Sequence, residues 1–174
     1  MNNRRNKCLL ITPALIVLMS LSVHAQQPKA GNGMTPQQMD EMNKRGDQHM
    51  GFDHLKTRHH FLLANDGGLI QIDAVDAKDT ASRDQIRGHL RHITMMFSDG
   101  NFEVPMLIHE KTPPGSEVMQ KLKAEIIYQF KETDRGGAIQ ISSSNAEAIQ
   151  AIHDFLRFQI KEHMTGDPLE VKKN

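Results

Sequence analysis

The chain has 174 residues, with 21 Lys and Arg against 21 Asp and Glu, one cysteine, 10 His and 11 Met. A balanced charge leaves no basic footprint for nucleic acid, and one cysteine excludes a framework of internal disulfides. Metal chemistry, where the chain has it, rests on His, Met, Asp or Glu.

The first residues are basic (Arg4, Arg5, Lys7), and an apolar run from Cys8 to Val23 follows, broken by Pro13. Val23, His24 and Ala25 then lead into a polar stretch. This three-part layout predicts a secretory signal peptide over residues 1–25, cleaved after Ala25. Cys8 stands at the start of the apolar run rather than at the cleavage site, so lipidation is not expected. About 150 residues remain, enough for one domain with a core. The expected location is the periplasm or the medium, with no membrane attachment after cleavage.

Residues 26–36 are rich in Gln, Gly, Pro and Lys and read as a disordered leader. Residues 37–56 form an arm in which Met39, Met42, His49 and Met50 share one helical face, weakened by Gly46. The arm is expected to dock as a short amphipathic helix. A mobile metal-loading arm is the sharper alternative.

Residues 57–166 are predicted to be a single α+β domain containing an internal repeat. HHFLLANDGGLIQIDA followed by DTASRDQIRGHLRHITMMF matches YQFKETDRGGAIQISS followed by NAEAIQAIHDFLRFQIKEH. Each copy, at about residues 57–98 and 124–164, has two alternating runs joined by a turn and then a helical pattern. The fold class expected is α+β. Duplicated ββα units form a four-stranded antiparallel sheet with two main helices on one face. The first helix should be capped near Asp79 or Thr80. The second should start near Ser144 or Asn145, with Ser144 and Glu147 as a capping box. Whether the copies join edge to edge or exchange elements stays open. The linker over residues 99–123 reads as ordered loop with a short helix in SEVMQKLK, and residues 167–174 as a tail.

The two copies differ where chemistry is concerned. Ile86, Leu90, Ile93 and Phe97 form the apolar face of the first helix. His89, His92 and Met96 occupy its shoulder, where the second helix carries Phe155, Phe158 and Glu162. His59 aligns with Tyr128 and shares the strand face of Phe61. The first copy thus puts histidines where the second puts aromatics, so His89 and His92 are expected to be partly buried. Buried imidazoles need partners, since an unpaired buried polar group costs about 1–3 kcal/mol. A metal ion satisfies several at once. The candidate ligands are His59, His89 and His92, with Met96, Met106 or His109 completing the shell. Mixed imidazole and thioether donors favour copper over zinc. Met95, Met96 and Met119 are equally explained as core gap-fillers.

The segments MGFDHLKTRHHF, HLRHITMMFSDGNF, PMLIHEKTPPG and IHDFLRFQIKEH resemble a group of short exported bacterial proteins of unassigned function. Some of these carry an aspartate carbamoyltransferase label. The Ser-Thr-Arg-Thr phosphate motif of that enzyme has no counterpart here, so the activity is not expected. Nucleophile elbows, phosphate loops and dinucleotide fingerprints are also missing from the sequence. The expected function is an exported protein that binds a transition metal, copper above all, for buffering or delivery to a metal-handling partner protein. The alternative is a module that binds a partner protein or small ligand without metal. A third reading is an enzyme that uses a histidine as general base, for which the sequence places no second catalytic group beside it.

Overall fold

The structure is a computed structural model that describes residues 35–171. The predicted signal peptide and most of the leader lie outside the described residues. No helix among the described residues is long and apolar enough to cross a membrane.

Thr35 opens the first helix, α1 (Pro36–Met50), with a reciprocal cap. Its hydroxyl accepts from the Gln38 backbone N–H, and the Gln38 side chain accepts from the Thr35 N–H. Pro36 sits at the first helical position, where a missing N–H costs nothing. Met42, Gly46 and Met50 face inward, so α1 docks as expected, while His49 stays exposed.

The two alternating runs of the first copy form β1 (Thr57–Ala64) and β2 (Gly67–Ala74), and helix α2 (Thr80–Ser98) follows. The second copy gives β3 (Ile126–Glu132), β4 (Gly136–Ser143) and α5 (Ala146–Glu162). Asp79 caps α2 by accepting from the Ser82 N–H. Asn145 caps α5 by accepting from Glu147 and Ala148. The expected Ser144–Glu147 box does not form, because Asn145 already holds those amides.

The linker holds two short helices rather than one, α3 (Glu103–His109) and α4 (Ser116–Lys121). Val-Pro does not break α3, because Pro105 falls in its first turn, where no intrahelical N–H is needed.

The strands make one antiparallel sheet in the order β1-β2-β4-β3. The hairpins therefore join through their second strands. Ile70 stands opposite Ile139 at the centre of that seam, Phe61 opposite Ile70, and Phe130 opposite Ile139. These four side chains share one face, and the two phenylalanines take equivalent places. Phe61 is buried. Phe130, nearer the β3 edge, is half-covered by the Arg91 guanidinium 5.0 Å from its ring centre.

The helices exchange partners. α2 packs across β3 and β4, and α5 across β1 and β2. Arg87 donates to the carbonyls of Thr133 (2.6 Å) and Gly136 (3.0 Å) in the second hairpin. His153 holds the same place in α5 and bonds through Nε2 to the Ala64 carbonyl of the first, at 2.8 Å. Leu156 lies over Gly68 and Leu90 over Gly137. Added Cβ atoms there would stand 2.3 and 3.2 Å from the leucine methyls, so glycine lets each helix approach the sheet. The core between helices and sheet contains Ile86, Leu90, Ile139, Ile141, Ile152, Phe155 and Leu156, all at most 1% exposed.

Candidate functional site

His59 points from β1 into the helix layer, as the strand alternation requires. It shares a space there with His89 and His109, two of its expected partners, and not with His92, Met96 or Met106. His92 is exposed on α2, and Met96 is partly buried against the core. Met106 is 41% exposed on α3, in a surface groove with Glu103, Leu107, Glu110 and Lys111. The expectation that His92 is shielded like Phe158 is corrected by the linker. It lays His109 against Phe158, ring centres 5.2 Å apart, and so covers the α5 shoulder.

The imidazole stacked on His59 is that of His163, just past α5. Their rings stack with centroids 5.2 Å apart and planes 11° from parallel. His109 of α3 also meets His163, edge-on, at 4.9 Å and 86°. Phe52 bridges to His89, with centroids 5.4 Å apart and rings at 85°. His59, His89, His109 and His163 thus line one small cavity of about 60 Å³ between helices and sheet.

A larger cleft of about 440 Å³ shares His59 and His163 with this cavity. Met39, Met42 and Met50 reach it from α1, and Met164 from the C-terminal segment. His54, His59, His60 and His163 line it as well. His59, His163, Met50 and Ile108 belong to both spaces and form the neck between them.

The electrostatics of the neck favour neutral imidazoles. Burial, with a smaller push from His89, His60 and His54, lowers the His59 pKa to about 4. Burial, assisted by His92, does the same to His89, also to about 4. His163 is held well below its ordinary value by burial and then by His59 and His109. Burial lowers His109 against the opposing pull of Gln159 and Glu162. Nitrogen Nε2 of His59 and Nδ1 of His109 are fully shielded and have no hydrogen-bond partner among the described residues. The His109 Nε2–H donates to Gln159 Oε1 at 3.0 Å, and Glu162 lies 3.7 Å from His109 Nδ1.

His60 is partly committed elsewhere. Its Nδ1 lies 3.0 Å from one Asp167 oxygen, while the other accepts the Phe61 backbone N–H at 2.9 Å. The C-terminal segment thereby caps the outer edge of β1. At the rim of the cleft, Asp47, Asp53 and His54 bring ligand atoms within 4.8 Å of one another, a group able to hold a metal ion. Hydrogen bonds already account for part of this closeness, with His54 Nδ1 2.9 and 3.0 Å from the Asp47 oxygens.

His163 and Gln159 are the site residues that the sequence reading misses, whereas it places Met50 on the arm and not among the ligands of His59. A signal for His163 exists. Continuing the match of α2 with α5 by one residue sets Phe97 against His163, the same aromatic-for-histidine exchange as His89 and Phe155, in the opposite direction. No protein-family model, curated protein or solved structure matches this chain.

Proposed function

We propose that the protein binds a transition metal, copper above all, in the cleft where α1 meets β1 and the end of α5. It acts as an exported buffer or carrier, in keeping with the signal-peptide layout of residues 1–25. His59 and His163 are the ligands at the neck, and Met50, with Met42 or Met164, supplies thioether sulfur. The observation that carries the reading is the shielded, unpartnered Nε2 of His59 among methionines and a second imidazole. Such a nitrogen costs about 1–3 kcal/mol unless something binds it. Burial keeps these imidazoles unprotonated, as metal ligation requires. Thioether with neutral imidazole suits Cu(I) better than the harder ions. Asp47, Asp53 and His54 at the rim fit a transient docking point for the ion on entry.

The test is a Cu(I) titration of the purified protein against a competing chelator, with thermal unfolding in parallel. Retention of one equivalent and a higher Tm are expected, because a ligand of the folded state stabilises it by mass action. Protein that takes up no copper, zinc or nickel and shows no change in Tm would overturn the reading. It would then favour a module that binds a partner or small ligand in the same cleft.

A further inference from the structure

The small cavity that shares His59 and His163 with the cleft has a composition of its own. Its walls are largely apolar, with Ile70, Leu90, Ile93, Phe97 and Phe155 among them. The exceptions are the imidazoles of His59, His89, His109 and His163, which burial keeps neutral, and Gln159. Gln159 is 4% exposed, its Oε1 accepts from His109, and its Nε2 has no partner among the described residues. The equivalent place in α2 belongs to Ile93, which lines the same cavity. A glutamine therefore stands where the repeat is content with isoleucine, and it holds a spare N–H donor in an apolar space. That donor calls for a guest that accepts a hydrogen bond.

Size and charge narrow the guest. A free volume of about 60 Å³ exceeds what one water needs and falls far below the roughly 300 Å³ and more of an organic ligand pocket. An ion would lose its hydration to apolar walls with no charge in return. What fits is a neutral molecule of two or three heavy atoms.

We infer that this cavity binds a small neutral molecule of the diatomic class. It enters from the cleft past His59 and His163 and accepts a hydrogen bond from the Gln159 amide. The cavity adjoins the ligands assigned above, so the guest also reaches a metal held there. This second half rests on the proposed metal site, whereas the cavity itself does not.

Carbon monoxide and xenon are the probes, each used on the full chain. In metal-free protein, both gases should shift the isoleucine methyl resonances of Ile70 and Ile93 saturably. Ile93→Phe, which fills the space, should weaken this at least tenfold. Gln159→Leu guards against misfolding of that variant. It should keep xenon binding and lose the preference for carbon monoxide. With Cu(I) bound, the wild type should give one C–O stretching band, and Gln159→Leu should move it to higher frequency by removing the donated hydrogen bond. Failure of both gases to bind the metal-free protein, as expected for a cavity that takes only water, overturns the inference. Copper-loaded protein that forms no carbon monoxide adduct overturns its second half. Gas binding in a protein that takes no copper keeps the cavity and removes the metal reading instead.

Discussion

His59 on an edge strand and His163 beyond the last helix stack 5.2 Å apart, although 104 positions of sequence separate them. The contact exists because α5 crosses to the first hairpin, which carries its C-terminal end to β1. If this pair holds the metal, the double variant His59→Ala, His163→Ala should lose most of the copper-induced rise in Tm. His92→Ala, exposed on α2, should keep all of it. The reverse pattern in thermal scans would return the site to the α2 shoulder.

The metal-free protein should lose stability in mild acid. His59 and His89 have folded pKa values of about 4, against an ordinary value near 6.5 in the unfolded chain. Between these values the unfolded state binds more protons, so stability rises with pH. It is complete above about pH 6.5 and declines as pH falls toward 4, and His163 extends the decline lower still. Urea midpoints at pH 7 and pH 5 measure this. His89→Phe, which copies Phe155 of the repeat, should flatten the slope, and an unchanged slope would remove His89 from the explanation.

Gly68 and Gly137 let the helices approach the sheet, but not equally. A Cβ on Gly68 would meet the Leu62 carbonyl oxygen at 2.5 Å as well as the Leu156 methyl. On Gly137 the nearest atom is a Phe130 ring carbon at 2.6 Å, on a half-covered side chain that has room to turn. Gly68→Ala should therefore destabilise by about 1–3 kcal/mol, and Gly137→Ala by less. Equal losses in denaturant titrations would contradict this ordering.

Asp167 should act as a clasp for β1. Asp167→Ala removes the acceptor of the Phe61 N–H and the partner of His60, at a cost of about 1–3 kcal/mol. Hydrogen exchange at the Phe61 amide should accelerate, and Asp167→Asn, which retains an acceptor oxygen, should restore part of the protection.

The elements were legible where local rules govern. Alternation in HHFLLA and YQFKET, the paired glycines and the Asp79 cap all act within a few residues, and they give both ββα units and the equivalence of Phe61 and Phe130. The seam between β2 and β4 and the exchange of helices depend on which surfaces meet, and no short stretch encodes that. The site follows the same division. That His59 faces the helices can be read from β1 alone. Its pairing with His163 requires the exchange, and the docking of α1 is what brings Met42 and Met50 alongside. His92 misleads because a periodic shoulder is polar or buried according to what the linker covers, and the linker covers α5.

The crossed helices also set an order of events for a chain made from its N-terminus. When α2 is complete, β3 and β4, the strands it packs against most, have not yet been synthesised, and its apolar stripe has only β2 of its own hairpin to lie against. Each half must wait for the other, which places the decisive contacts far apart in sequence and slows their closure. A nascent chain halted before β3 would present that stripe to whatever else is nearby. Fragments split within the linker, each unfinished alone, would have reason to fold around one another.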